Sequence, residues 1–442
     1  MAFTRTVRAL SAAALTGGLI LVVAPAASAD QTRRDQWALD TLQAQAVWKI
    51  SKGKGVTVAV IDSGVNATHV DLKGNVLKGH DFQDGDDDSS PEATDSSPEH
   101  GTAMASVIAA HGHGAGAEDG VMGLAPEAKI LPIRDGGVGY ADEIRYAVDH
   151  GASVINMSVS TTRESSEDRD AVAYALKKDV LVVTASGNSG RGDVVDYPKK
   201  YPGVLTVGGV DRDGEIWTGS DYGPEVLLTA PATRIVHAGW PGNKLSIGDG
   251  TSDAAAFVSA AAALLRSKFP DLTAGQIANR LVKTATLPSS AKGLSLPDEK
   301  YGYGSIRPLA ALTEDIPAGS KYGPLKAPEA GSESPSTAAT AGSPGADDTA
   351  AQKKADQKQM LFFVVLGVVA LVVVGLIVLL IVKKSRRNKN NSGGSGGPAG
   401  YPQYGQQSAP PHQNPYQQQV APQQNPYQQQ STPPHGQWPP QQ

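Results

Sequence analysis

Val56-Thr57-Val58-Ala59-Val60-Ile61 runs directly into Asp62-Ser63-Gly64. An almost unbroken apolar and β-branched run, closed by a polar turn, is what a strand covered on both faces requires. A strand with one wet face would alternate instead. Runs of the same kind recur at Ser153–Asn156, Val180–Thr184, Val204–Val210 and Val226–Leu228. Helix-length stretches lie between them, including Tyr140–His150 and Arg169–Lys178. Strand–helix–strand alternation predicts an α/β fold with a mainly parallel sheet and helices on both faces.

The stretch from Ser252 to Lys268 is apolar on nearly every side, through Ala254, Ala255, Ala256, Phe257, Val258 and Ala260 to Leu265. A helix of that composition belongs in the centre of a domain. The next helix is announced by local chemistry. Thr273 and Gln276 have capping-box spacing, and Leu272 and Ile277 occupy the two staple positions. That helix runs to about Thr286, and the domain 56–315 closes near Leu312.

Outside this domain the composition changes. The chain has 442 residues and a formal charge of −5, which gives no basic footprint for nucleic acid. It has no cysteine, so disulfides, thiolate metal sites and a cysteine nucleophile are excluded. Arg5 and Arg8, the apolar stretch Ala9 to Ala24, and Ala27-Ser28-Ala29 form a signal-peptide pattern over 1–29. Residues 30–55 are an N-terminal extension. Residues 316–359 are rich in Pro, Ala, Gly, Ser and Thr and are expected to form a disordered stalk. Met360 to Val382 is 23 residues without a charged side chain, the length of a single transmembrane helix. Lys383, Lys384, Arg386, Arg387 and Lys389 follow it, against Lys353, Lys354 and Lys358 before it. That bias, with the cleaved leader, predicts an extracellular catalytic domain and a cytoplasmic tail at 383–442. The tail is low-complexity and disordered in composition, and it repeats Asn-Pro-Tyr-Gln-Gln-Gln at 414–419 and 425–430.

Four short segments carry candidate chemistry. Asp62 ends the first strand, where open parallel sheets collect active groups. His100 opens His100-Gly101-Thr102-Ala103-Met104-Ala105-Ser106 at a helix start. Asn188 lies in Ala185-Ser186-Gly187-Asn188-Ser189-Gly190, just past the Val180–Thr184 strand, and offers a neutral amide donor for an oxyanion. Ser252 lies in Gly250-Thr251-Ser252-Asp253-Ala254-Ala255-Ala256, where a preceding glycine permits tight backbone geometry and a helix N-terminus supplies free N–H groups. Each alone has a plain structural reading. Asp62 and Asn188 suit turns, His100 a structural histidine, and Ser252 an N-cap.

Together, in the chain order Asp62, His100, Asn188, Ser252, the motifs resemble the subtilisin-like serine proteases over residues 45–312. Gly123-Leu124-Ala125-Pro126 and Gly302-Tyr303-Gly304 are also similar to that family's segments. Within it the chain looks most like the mycosins, membrane-anchored proteases associated with type VII secretion. Gln36-Trp37-Ala38-Leu39 leading into Ala46-Val47-Trp48-Lys49, the short extension before the Asp62 strand, and the C-terminal stalk and apolar segment carry that narrower likeness. The chain departs from the family where Ala256 replaces the usual Pro. It departs again where Asn156-Met157-Ser158-Val159-Ser160 lacks paired glycines, and in its lack of the disulfides mycosins often carry.

The resemblance implies a membrane-anchored serine endopeptidase acting on protein or peptide substrates, with type VII secretion components as partners. Ser252 would be the nucleophile, His100 the base and Asp62 the residue that fixes the imidazole. Asn188 and the Ser252 N–H would bind the oxyanion, and no metal or cofactor is needed. A structural subunit of a secretion complex is the alternative, and a surface-binding module displayed on a stalk is a third reading. Asp81, Asp84, Asp86, Asp87 and Asp88 offer oxygen ligands for Ca²⁺, but their spacing matches no EF-hand loop and a solvated acidic loop is the expectation. His111 and His113 are expected in a surface loop.

Overall fold

The apolar run at Val56–Ile61 forms β1 (Thr57–Asp62), which lies inside a seven-stranded sheet of order β2-β5-β1-β6-β7-β8-β9. The computed structural model describes residues 31–327. The leader 1–29, residues 328–359 of the expected stalk, the 360–382 segment and the tail lie outside the described residues. Besides β1 the sheet holds β2 (His80–Asp81), β5 (Lys129–Arg134), β6 (Val154–Met157), β7 (Leu181–Ala185), β8 (Val204–Val210) and β9 (Val226–Pro231). All six pairings between neighbours are parallel, as the α/β reading predicts.

Period-two alternation divides each strand between two layers. Val58 and Val60 of β1 point into one core, and Ala59 and Ile61 into the other. The first core holds α3 (His100–Ala109), α6 (Thr251–Lys268), α7 (Ala274–Thr284) and α8 (Pro308–Thr313). The second holds α4 (Ala141–Asp149) and α5 (Ser166–Lys177). Helix α6 is buried from Thr251 through Arg266 and packs on β1, β6, β7, β8 and β9, so its all-round apolar surface has a partner on every side. Thr273 and Gln276 form both hydrogen bonds of the capping box that starts α7.

Strand β5 is not among the runs read from the sequence. Pro132 stands within it, and proline argues against an interior strand. The register resolves this. Ile130 donates its N–H outward, to Asn75 O, so Pro132 two residues on turns its missing donor the same way. On that side lies only the two-residue strand β2, while the β1 side keeps its ladder.

Residues on both sides of 56–315 pack against this core. Helices α1 (Trp37–Thr41) and α2 (Ala44–Val47), with Leu42 between them, bury Trp37, Leu39, Leu42 and Val47 in the core shared with α3 and α6. Trp37 Nε1 donates to Thr233 O at 3.0 Å. Gln36 pairs through its side-chain amide with the backbone of Met122, Nε2 to O at 2.8 Å and Met122 N–H to Oε1 at 3.1 Å. At the other end, residues 316–327 dock on α7. Arg280 donates to the carbonyls of Ala311, Glu314 and Ile316, and Leu325 is buried. These captured carbonyls hold a Pro- and Gly-containing segment that composition alone assigns to the stalk.

Among the described residues no helix is long and apolar enough to cross a membrane. The 360–382 segment is not one of them.

Candidate active site

Parallel strands all end on the same edge; there Asp62 pairs with His100, and Asn188 pairs with Thr251, the residue before Ser252. Asp62 is buried at the last position of β1, and its Oδ1 accepts the Ser63 N–H at 2.8 Å. His100 is the first residue of α3. Its Nδ1 lies 2.8 and 2.9 Å from the two oxygens of Asp62. A carboxylate only accepts, so Nδ1 carries the hydrogen and Nε2 is left to act as a base. The approach of α3 to β1 depends on Gly101. A Cβ there would sit 2.3 Å from Gly64 O and 3.1 Å from Asp62 Cβ.

The imidazole takes its electrostatics from this setting. The Asp62 charge is the largest influence, and it outweighs burial to push the His100 pKa from 6.5 up to about 9. The Asp62 hydrogen bond and the charges of Asp253 and Glu99 add in the same direction.

Ser252 stands in the first turn of α6, one residue after Thr251. The N-cap reading does not hold: Gly250 is the N-cap residue, and the Ser252 hydroxyl makes no hydrogen bond among the described residues. Gly250 itself is in extended backbone, φ −179°, which any residue adopts. A Cβ on Gly250 would lie 3.7 Å from Ser252 N and 3.8 Å from Asn188 Nδ2. Two donors therefore border one open volume.

The Asn188 amide is fixed from behind. Its Oδ1 accepts from Thr251 N at 2.9 Å and from Thr251 Oγ1 at 2.8 Å, which leaves Nδ2 free to point into that volume. The loop carrying it is held by Asp221, whose buried Oδ1 accepts from Ser189 N, Ser189 Oγ and Arg191 N at 2.6–3.0 Å. Lys199 adds a 2.7 Å bond to Ser186 O. The arrangement offers a hydroxyl, an oriented imidazole and preorganised N–H donors, the parts that acyl transfer needs.

The loop leading to His100 departs from the solvated acidic loop expected of it. Asp81 is buried, with Oδ2 2.6 Å from Arg134 Nη1, while Asp95 and Glu92 lie 2.9 and 3.3 Å from Nη2. Asp81, Asp84 and Glu92 come close enough together to suggest a metal group, but the Arg134 guanidinium already lies among them. Asp86, Asp87 and Asp88 are exposed as expected. Arg134→Met should destabilise the fold by about 3 kcal/mol or more, because it leaves the Asp81 carboxylate buried without its partner. Urea unfolding of the full-length protein measures it, and a loss under about 1 kcal/mol contradicts it. His111 and His113 lie on a short strand, β3 (His111–His113), paired with β4 (Asp119–Met122). His113 Nδ1 there meets the buried carboxylate of Asp71 at 2.6 Å.

Sequence reasoning missed Asp221, Arg134 and a buried pair formed by Asp253 and His237. Asp253 was in plain view beside Ser252, but its partner lies 16 residues away in a different element.

Residues 53–304 match the subtilase family, and the chain belongs to it. It is 36% identical over 271 residues to an intracellular serine protease of Paenibacillus polymyxa, covering 58% of this chain and 81% of that one. It is 31% identical over 355 residues to mycosin-1 of Mycolicibacterium smegmatis, covering 66% and 76%. Among solved structures, MycP1 with its N-terminal propeptide removed superposes with a TM-score of 0.56 at 32% identity, over 64% of this chain and 99% of that one. MycP3, a protease from the type VII (ESX-3) secretion system, gives 0.54 at 32% identity, over 63% and 88%. The protein is a serine-type endopeptidase related to the mycosins of type VII secretion.

Proposed function

We propose that this protein hydrolyses exported or surface proteins through an Asp62–His100–Ser252 triad, with Asn188 as the oxyanion donor. The observations that carry the reading are the Asp62–His100 pair and an Asn188 amide locked by Thr251, the residue that precedes Ser252. Ser252 Oγ attacks the scissile carbonyl as His100 Nε2 takes its proton, and Asp62 stabilises the imidazolium that forms. The oxyanion settles against Asn188 Nδ2 and Ser252 N–H. His100 then returns the proton to the leaving amine, and water repeats the sequence to release the acyl group.

A fluorophosphonate probe should label the full-length protein at Ser252, with peptide mapping to locate the adduct. Labelling elsewhere, or none, overturns the assignment. The pH dependence follows from His100. The base must be neutral to accept a proton, so kcat/KM should rise with pH and level off above an acid limb near 9 in place of the ordinary 6.5. A limb at or below 6.5 would contradict an imidazole dominated by Asp62.

The cellular setting proposed is a cell membrane, with the 360–382 segment as a single span, the peptidase outside and the tail in the cytoplasm. The apolar length, the flanking lysines and arginines and the leader pattern support it. Protease treatment of intact cells should release the catalytic domain while an epitope placed after Gln442 stays protected. Digestion of the epitope with survival of the domain would invert the topology. A second reading, a structural subunit of a secretion complex, draws on the related MycP1, described as an essential component of the type VII (ESX-1) secretion system. Secretion that persists with an inactive Ser252 variant but fails without the protein would favour it.

A further inference from the structure

Strand β5 ends at Arg134 beside Asp62, and the next residue, Asp135, donates its N–H to Asp62 O at 2.9 Å. From there the chain runs on to α4, and Gly136, Val138 and Gly139 wall a cavity of about 340 Å³. Two acids in the same lining are buried: Glu143 of α4 is 4% exposed and Asp168 of α5 is 2%. Asp168 Oδ1 accepts the Tyr140 N–H at 2.9 Å, whereas its buried Oδ2 has no hydrogen-bond partner among the described residues. Glu143 Oε1 accepts the Gly136 N–H at 3.4 Å. Burial pushes the Glu143 carboxyl up to about 7, as happens to an acid without a counter-charge. Buried carboxylates are ordinarily paired with a cation. Among the described residues these two are not. Arg163 is the cation in the lining, but it is exposed and spends Nη2 on Val138 O. A Cβ on Gly139 would lie 3.3 and 3.8 Å from the two Asp168 oxygens and 3.9 Å from Arg163 Nη2. The guanidinium thus stands near Asp168 without pairing with it, and Asp142 and Glu167 keep the lining net negative.

We propose that this cavity takes an arginine or lysine side chain of the peptide substrate, and that Asp168 and Glu143 make the enzyme select for it. The inference rests on Ser252 and His100 cutting the peptide. The stretch from Asp135 to Gly139 spans at most about 14 Å even when fully extended. An extended peptide advances ~3.3 Å per residue, so the cavity serves a side chain within about four residues of the bond cut. Phe82 and Ala141 also line it and give the aliphatic stem of such a side chain an apolar wall, while the carboxylates meet its charged head. A guanidinium or ammonium there supplies the donor that Asp168 Oδ2 lacks, in a charge-assisted bond. A metal ion is the poorer occupant. The acids that come close enough together to hold one among the described residues are Asp81, Asp84 and Glu92, none of them in this lining.

Cleavage-site profiling separates this from a packing role for the two acids. Full-length wild type, Asp168→Asn and Glu143→Gln are each incubated at about pH 8, above the Glu143 value, with peptides from a proteome cut at glutamate. Mass spectrometry then reads the residues on both sides of every new cut. Each substitution keeps the size of the side chain and an accepting oxygen for its N–H partner, and removes the charge. Wild type should enrich arginine and lysine about tenfold over their abundance at one position within about four residues of the cut. In the variants that enrichment should fall below about twofold. The enrichment is a ratio within one protein, so a partly folded preparation still reports it. Loss in one variant alone assigns the contact to that acid. A wild-type profile flat at these positions overturns the proposal, as does an enrichment that both variants retain. If neither variant melts cooperatively, the acids are structural and the proposal is again overturned. Cleavage by Ser252→Ala, or none by wild type, fails the triad reading on which this rests. A dead Ser252→Ala beside a flat wild-type profile removes this inference alone.

Discussion

Ser252→Ala should lower kcat by about a million-fold, the scale on which loss of the nucleophile acts in a subtilisin, and leave the fold as it is. The hydroxyl sits in the first turn of α6 and makes no hydrogen bond among the described residues, so its removal orphans no buried partner. It is also small, so no cavity of consequence remains, and alanine is the best helix former. Thermal melting of the full-length variant should fall within about 2 °C of the wild type. Turnover with purified variant enzyme and a fluorogenic peptide reads the loss. Retention of even a hundredth of wild-type kcat would mean that another group attacks the carbonyl.

Asn188→Ala should reduce kcat by about 10²–10³-fold with little change in KM, the range found when one oxyanion-hole donor is removed in a subtilisin. The amide hydrogen bond strengthens as the carbonyl oxygen becomes charged, so the loss falls on the transition state. Alanine also strips Thr251 N–H of its acceptor and leaves Oγ1 only Gly187 O, and a stability loss of about 1–2 kcal/mol should accompany the kinetic effect. Asn188→Asp separates the two. It keeps an acceptor for Thr251 but replaces the donor by a charged oxygen, so stability should recover while kcat falls at least as far. A kcat near wild type in Asn188→Asp, or a defect confined to KM, would assign Asn188 to substrate binding.

The strands and the candidate segments are legible because each is a local statement. Val56–Ile61 needs no partner to read as a strand covered on both faces, and Asp62 stands out as the polar residue that ends it. The capping box of Thr273 and Gln276 is local in the same sense. What stayed hidden depends on distant groups. Pro132 reads as a strand breaker until the neighbouring edge is seen to need no donor there. Residues 316–327 read as stalk because composition cannot show that Arg280 captures carbonyls around them. Asp81 reads as one acid among five until Arg134 arrives from another strand. His237 and Asp253 are each unremarkable where they stand and acquire meaning only as a pair. Gly250 reads as a source of backbone freedom, whereas its backbone is extended, φ −179°, as any residue allows.

The place of α6 in the chain sets the order in which this enzyme can become active. All seven strands of the sheet precede it, and β1, β6, β7, β8 and β9 share it as their cover. A chain that emerges from its N-terminus first exposes those strand faces until residue 268 is through. Ser252, the nucleophile proposed above, rides on that same late helix. Assembly of the core and arming of the site are therefore one event, and a half-emerged chain holds Asp62 and His100 with nothing yet to activate.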